Sequence, residues 1–489
     1  MKKLCTLIYF LSIFSFAMPP VFADNILEDK QIVINQVNDD VQDKEEIEAI
    51  KPNTELDEKK LEQKDFTKTP YITEKLRGYI DRALQLNPTL KQRRLETEES
   101  FYNNKESRTS LSPQVSFSAS YSQSLRQPSR DSTGSFSYGF SLRQYITDFG
   151  KTSNALKVSE ESYISSICSL RASEEDVVYN VKEAYYRCIS AKCKVDVSQE
   201  SYNAYEKHLK EAKAYFEAGT KSKIEVTTAE VNLANAEYSL TEAKNSYELA
   251  LMKLANAIGE TYKYNYNYNF EDDVQKIYKD VIPILTDGIG ELLATAKNER
   301  PDLMRLESRI RSADYSLKSV RAERTPSISL SAGYNWSGQE YPPDHGWNVG
   351  TSLSMPILDG GSLTYRIKEA ELRVEQAEAS YETSWQNAML EIQSAFLTMN
   401  DSYKNVELTQ KTLAQAEENF YLAENRYNVG VGSNLEFIDA QVSLFRAKIN
   451  RINAITDYYI SIAKLEKAIG SELHTNYIEK DGVTNYEEE

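Results

Sequence analysis

The sequence predicts a mixed α and β membrane protein in which one unit, built of long coiled-coil helices plus two β-hairpins, occurs twice. Landmark residues recur at a spacing of 211, two long stretches contain neither Gly nor Pro, and four short segments alternate strictly between apolar and polar residues. Asp148-Phe149-Gly150 recurs as Asp359-Gly360-Gly361, and Gly219, Ser222, Ile224 and Glu225 recur as Gly430, Ser433, Leu435 and Glu436, each 211 residues on. Gly259 returns as Gly470 at the same spacing, while Pro88 and Pro113 return as Pro301 and Pro326 at 213, a two-residue difference in one loop. Solenoid repeats run to roughly 20 to 50 residues, so a unit this long predicts two large pseudo-equivalent lobes.

Taken in order, the chain opens with Lys2 and Lys3, an apolar run from Leu4 to Phe16 and a small-residue site at Val21-Phe22-Ala23, so residues 1–23 are expected to be a cleaved signal peptide. The run is shorter than the roughly 18 apolar residues of a spanning helix. Cys5 lies at its start, before the apolar core, and leaves with the peptide, so the mature chain is expected to carry no lipid. Residues 24–70 are rich in Asp, Glu, Lys and Gln with no aromatic before Phe66, the composition of a disordered acidic leader. The first repeat is placed at 71–270, a linker at 271–290, the second repeat at 291–470 and an acidic tail at 471–489.

Charge and composition narrow the function. The formal charge of −17 becomes −19 once Lys2 and Lys3 are gone, which argues against nucleic acid as a partner, because that needs clustered Lys and Arg. Three cysteines remain, Cys168, Cys188 and Cys193, an odd number for an exported chain. Their repeat counterparts are Ala379, Met399 and Lys404, which favours buried packing for Cys188 over reactivity. With three histidines in all, a zinc site has few ligands. There is no Gly-rich phosphate loop and no Ser, His, Asp constellation; His208 falls in a helical stretch and His345 in a hairpin loop, so no catalytic residue, metal or cofactor is expected.

Lys151 to Ala218 and Ser362 to Val429 contain no helix breaker, and as single helices each would be about 100 Å long. Each is followed by a Gly-containing turn and a stretch roughly half as long, Lys221 to Ile258 and Ser433 to Ile469. Further helical segments run over about Ile72 to Leu111 and Glu291 to Arg324, so two short helices stacked end to end can match one long one. Ile392, Phe396, Met399, Tyr403, Val406, Leu413, Ala416, Phe420, Ala423 and Tyr427 step by threes, fours and one seven, a heptad seam. Val181, Cys188, Val195, Tyr202, Leu209 and Phe216 repeat it in the first copy.

Strands are expected at about 115–123, 136–145, 328–336 and 348–357, where apolar residues such as Phe117, Tyr121, Phe140 and Trp336 alternate with Ser or Gly. Polar loops from Leu125 to Ser135 and from Ser337 to Gly346 make each pair a hairpin. Strands of about ten residues cross a bilayer when tilted. Alternation alone fits equally a sheet half-buried on the helices. The export signal, the hydroxylic second face and the aromatics near strand ends favour the membrane. Four strands cannot close a barrel and a bilayer tolerates no open edge, so several chains must combine. Eight strands from two chains would leave little lumen, whereas twelve from three would leave a channel.

Across about Tyr71 to Gly470 the chain resembles the TolC family of outer-membrane efflux channels. The residues that carry this are Asn87-Pro88, Arg300-Pro301, Leu111-Ser112-Pro113, Arg324-Thr325-Pro326, the run from Met355 to Gly361, and Arg426-Tyr427-Asn428-Val429-Gly430 continuing through Leu435 to Ala440. The resemblance implies a homotrimer in the outer membrane lipid, with a 12-stranded β-barrel on an α-helical periplasmic tunnel, docked by a periplasmic adaptor and an inner-membrane pump. It implies tip turns at Gly219 and Gly430, a pore constriction ringed by Glu436 and Asp439, and a tip network containing Tyr427 and Glu225. Gly432 stands where the family has that network's basic residue. The first copy differs from the second in having Tyr145 for Pro356 and Thr228 for Asp439.

Without the resemblance, Glu436 and Asp439 read as a solvated acidic helix face, and Tyr427 as packing on the seam. The long helices alone also fit a different class, a periplasmic or surface-exposed coiled-coil structural protein or adhesin. Drug efflux and type I protein secretion both remain open, since the pump selects the cargo. Deleting residues 24–70 while keeping the signal peptide is expected to leave the assembled protein in the outer membrane, measured as heat-resistant oligomer in membrane fractions; its loss would give the leader a folding role.

Overall fold

The computed structural model describes residues 73–126, 131–260, 288–471 and, between and after them, 270, 274, 282–285, 473, 475–479 and 482–483. The chain divides into two compact units, Met1–Gln63 and Lys64–Glu489, and every described residue lies in the second. The expected signal peptide and acidic leader fall outside the described residues.

The first copy contributes α1 (Glu74–Leu86), α2 (Pro88–Arg108), β1 (Gln114–Arg126), β2 (Asp131–Thr147), α3 (Lys151–Glu217) and α4 (Lys223–Ile258). After β3 (Ile282–Leu285) the second contributes α5 (Ile289–Glu299), α6 (Pro301–Ala322), β4 (Ser327–Gly338), β5 (Asp344–Ser354), α7 (Ser362–Asn428) and α8 (Asn434–Ile469), and the chain closes with β6 (Thr475–Glu479) and β7 (Gly482–Val483). The long helices α3 and α7 are each 67 residues, and α4 and α8 are each 36.

Each long helix begins on the same device. Gly150 and Gly361 take the left-handed conformation at φ 99 and 88, and the carboxylate before them caps the helix: Asp148 Oδ2 accepts from the Thr152 amide at 2.8 Å, Asp359 Oδ2 from Leu363 at 2.7 Å. The backbone bonds from Leu363 and Gly361 hold the Asp359 carboxyl below its usual pKa.

The expected single segments 72–111 and 291–324 are each two helices, because Pro88 and Pro301 lack an N–H and force the preceding residue out of the α region. Asn87 sits at φ −62, ψ 122 and Arg300 at φ −65, ψ 119, and each proline then opens a new helix. The short helices do meet end to end. Asn87 Nδ2 donates to the Ala257 carbonyl at 3.0 Å, and Arg300 Nη1 to the Ala468 carbonyl at 2.7 Å, so each break caps the last turn of α4 or α8.

Burial along α7 follows the heptad seam, with Ile392, Met399, Val406, Ala416, Ala423 and Tyr427 inside. Along α3 it is broader, because α4, α6 and α8 all pack on it. The expected seam fails there at Phe216, which is 42% exposed close to the turn, with the Lys223 ammonium near its ring. Cys168, Cys188 and Cys193 are all buried and form no disulfide; burial pushes the Cys188 thiol up to about 12, so at neutral pH it is a packing group.

The main sheet is antiparallel in the order β1-β2-β4-β5. Its register sets like against like: Phe117 opposes Phe140 and Tyr138 opposes Trp336 on one face, while Ser116 with Ser141, Ser120 with Ser137, Ser122 with Ser135 and Ser329 with Ser352 join hydroxyls at 2.8 Å on the other. The strands outrun the alternating segments. Pairing continues through Leu125 with Ser132 and Arg126 with Asp131, and β5 starts at Asp344, because ladder hydrogen bonds need backbone and not apolar side chains. At its other end β5 stops at Ser354 rather than 357, two residues before Pro356, which has no N–H to donate.

The expected linker and tail also carry structure: β3 pairs antiparallel with β6, and β6 with β7. Leu473 and Phe270 join the core around α1, α3 and α8. At the helix junctions, a Cβ on Gly259 would lie 2.8 Å from Asn87 Cα, and one on Gly470 3.0 Å from Arg300 Cα, with both glycines at positive φ. Gly219 has a positive φ but open space around it. Gly259→Ala and Gly470→Ala are therefore expected to cost about 2–3 kcal/mol each and Gly219→Ala about 1 kcal/mol. Denaturant midpoints of the detergent-solubilised protein check this; equal costs at all three would remove the close approach as the cause.

Candidate pore entrance

The turns that join long to short helices carry most of the residues singled out in the sequence. After α3, Gly219 at φ 74 lets its amide reach the Phe216 carbonyl at 2.9 Å and that of Thr220 reach Tyr215 at 3.0 Å. After α7, Gly430 at φ 81 makes the matching bond to Tyr427 at 3.0 Å, and the amides of Val431 and Gly432 both reach the Arg426 carbonyl. Ser433 then caps α8, accepting from the Glu436 amide at 3.1 Å.

Glu436 and Asp439 are both exposed on α8, alongside the buried Phe437 and Ala440. Glu436 is not free: its carboxylate lies 3.6 Å from Arg426 Nε. Both partners are well exposed, so solvent screens the pair and it holds little.

Tyr427 and Glu225 come together through a residue the sequence reading passed over, Lys221. Its ammonium sits 4.0 Å from the Tyr427 ring centroid and 3.2 Å from Glu225 Oε2. Partial burial works against the Lys221 charge, but Tyr427 and Glu225 outweigh it and raise the Lys221 pKa. The Lys221 ammonium lies over the ring face of Tyr427, whose hydroxyl is buried. Gly432 cannot host the basic residue, because a Cβ there would lie 2.9 Å from the Tyr427 amide nitrogen and 3.0 Å from Arg426. The cation arrives instead from the opposite copy, two residues after Gly219.

His208, placed by the sequence merely in a helix, is the second omission. It is 2% exposed where α3 meets α7 and α8. Its ring packs on Tyr427 and Phe437, with centroids 5.4 and 4.9 Å away, and those two stack on each other at 5.3 Å. Its Nε2 lies 3.0 Å from Asn434 Oδ1, which assigns the proton to Nε2 and leaves Nδ1 buried with no partner among the described residues. Burial drives the His208 pKa below its ordinary value; Lys221 adds to this, while the Asn434 bond and the Glu211 and Glu225 carboxylates oppose it.

Paired long helices that close on glycine turns, joined to a two-faced antiparallel sheet, define an outer-membrane channel with a helical periplasmic extension. Residues 79–260 and 292–471 match the outer membrane efflux protein family, and the chain belongs to that family. It is 25% identical over 380 residues to the probable efflux pump outer membrane protein TtgC of Pseudomonas putida, spanning 74% of this chain and 76% of that one. It is 25% identical over 417 residues to the outer membrane protein OprJ of Pseudomonas aeruginosa, spanning 82% and 84%. Its fold matches the Campylobacter jejuni CmeC outer membrane channel with a TM-score of 0.70 at 20% identity, over 82% of this chain and 86% of that one. The chain is an outer-membrane exit channel for an efflux system.

The buried His208 gives the packing at these turns a pH dependence whose sign follows from its depressed pKa. The packed state favours the neutral His208 ring, so its full contribution is present above about pH 6.5, the ordinary histidine value, and drains away as pH falls below it. Conductance in planar bilayers is expected to rise between pH 7.5 and 5.5, and His208→Phe, which keeps the ring packing, is expected to flatten that rise. An unaltered rise in His208→Phe would assign it to the carboxylates.

Proposed function

We propose that three copies close a 12-stranded barrel in the outer membrane lipid, carry cargo along a tunnel of paired helices, and are docked at the periplasmic end by an adaptor and an inner-membrane pump. The observation that carries this reading is the four-stranded sheet. Its edge strands β1 and β5 have no further partner among the described residues and run in opposite directions, so joining β5 of one copy to β1 of the next continues the antiparallel order. One face is apolar, with Phe117 and Trp347 well exposed, and the other is a ladder of paired serines, the arrangement suited to lipid outside and water inside.

The helices support the same assembly. Leu390, Leu397, Leu408 and Leu422 stay exposed along α7, and Val231 and Tyr238 along α4, apolar stripes that a neighbouring copy would cover on each side. A groove of about 820 Å³ between α3, α4 and α8, floored by small residues such as Ala184, Ala191 and Ala250, would admit a helix of the adaptor. The hairpin loops face the exterior and the turns at Gly219 and Gly430 the periplasm, since each long helix starts where a strand ends and reaches its turn about 100 Å away.

Within this assembly, Glu436 and Asp439 of three copies gather six carboxylates around the axis, where their fields add and attract multivalent cations. The Lys221, Tyr427 and Glu225 cluster holds the two copies of the unit together beside them. Trivalent cations added on the periplasmic side are expected to block the wild-type pore. Glu436→Gln combined with Asp439→Asn is expected to raise the half-blocking concentration by at least about tenfold with trimers intact, as a loss of about 1.4 kcal/mol in ion binding would give. Unchanged block would return these residues to a solvated face, and a stable monomer in detergent would overturn the barrel and favour a coiled-coil fibre.

A further inference from the structure

The turns between the sheet and the long helices expose apolar side chains that the turns themselves do not need. Phe149, at φ 52, is the non-glycine residue with positive φ among those described, and its counterpart one repeat later is Gly360, at φ 66. Holding an aromatic residue there is unfavourable relative to glycine. The ring is also 57% exposed, a separate cost in water. Glycine would remove the first cost and a polar side chain the second. Ile146 beside it is similarly exposed, and in the second copy Ile357 and Leu358 are 93% and 94% exposed, after a half-exposed Met355. The helix starts here are built by Asp148, Asp359, Gly150 and Gly361, so these apolar residues serve something else.

The height of the sheet's apolar band says what. On β4 the apolar face runs from Ile328 to Trp336, and on β2 from Phe136 to Leu142. At about 3.3 Å per residue and a tilt of about 40°, those spans give roughly 20 and 15 Å of height, where a lipid-facing band is about 25 Å tall. The exposed turns lie directly beyond the lower end of that band, where β2 ends at Thr147 and β5 at Ser354. Arg324, exposed in the turn before β4 and close enough to Asp359 to help lower its pKa, brings positive charge to this level of an acidic chain.

We propose that Ile146 at the end of β2, with Phe149, Met355, Ile357 and Leu358 in the turns, forms an apolar collar that seats in the phospholipid leaflet on the periplasmic side of the outer membrane and completes the lipid-facing band at the lower end of the sheet. The collar rests on the reading of the sheet as part of a bilayer-spanning barrel. Its occupant is the boundary between headgroups and acyl chains, which takes aromatic and aliphatic groups on one side and a cation such as Arg324 on the other.

Native Trp336 and Trp347 lie on the apolar sheet face, and Trp385 on α7. Unaltered trimer is reconstituted in phosphatidylcholine vesicles brominated on the acyl chains near the headgroup; quenching of its tryptophan emission tests the barrel reading alone. Phe149→Trp and Ile357→Trp, each in a chain with Trp336, Trp347 and Trp385 replaced by Phe, test the collar. Brominated lipid is expected to lower their emission about twofold, with little effect from aqueous iodide. Quenching by iodide alone would leave the turns in water, and quenching by neither would bury them against a neighbouring copy; both overturn the collar even where the native tryptophans are quenched. Should the tryptophan-free chain not fold, Phe149→Cys carrying an environment-sensitive fluorophore reads the same contact against nitroxide-labelled lipid, because the native cysteines are buried.

Discussion

Two helix ends meet in the middle of each repeat, and the architecture depends on how their polar groups are satisfied. A helix of 67 residues can be flanked along its length only by a partner of similar reach, which the chain builds from α2 with α4 and from α6 with α8. Stacking them brings the last carbonyls of one helix against the first turn of another, where unpaired groups would be costly. The first copy answers with Asn87 on the Ala257 carbonyl. The second answers with Arg300, which also grips Asp302 and Glu391 at 2.9 Å and so ties the junction to α7. Gly259 and Gly470 let the backbones approach closely enough for either solution.

The two solutions differ because the copies have different neighbours. Within the chain α3 lies against α4, α6 and α8, whereas α7 keeps a stripe of exposed leucines. Buried polar contacts follow that asymmetry. Lys182 on α3 meets Glu466 on α8 at 2.8 Å with both nearly inaccessible, and the other oxygen of Glu466 accepts from the Leu473 amide. One repeat later the Lys182 position is Gln393, an exposed residue. A buried pair of this kind contributes little net stability, because desolvation offsets the attraction, but removing one partner leaves a stranded charge. Its effect is to fix the register of α8 and the chain after it on α3.

How much of this was legible follows from how local each signal is. The ends of α3, α4, α7 and α8 fell close to their expected places because each is set by a glycine at positive φ, a property of one residue. Strand lengths were misjudged because alternation marks the apolar band while pairing marks the strand. The breaks at Pro88 and Pro301 carried their own chemical signal and were merged only by treating helical character as continuous. The strands at Thr475–Glu479 and Ile282–Leu285 pair residues far apart in sequence, with no short-range pattern to announce them. Lys221 was missed because its counterpart was sought one repeat away at Gly432, whereas the space beside Tyr427 is filled across the two copies.

That exchange changes what kind of contact joins the two turns. An exposed ion pair such as Arg426 with Glu436 weakens as salt rises, since ions within a Debye length of about 8 Å screen it. The contact between Lys221 and Tyr427 is partly buried beside an aromatic cluster of His208, Phe420 and Phe437, where ions reach it less readily. The packing that joins the copies is therefore less sensitive to ionic strength than the exposed pair. The carboxylates of Glu436 and Asp439 stay exposed to solvent, so under the proposed assembly the groups that join the two turns and the groups that would meet cations are different residues.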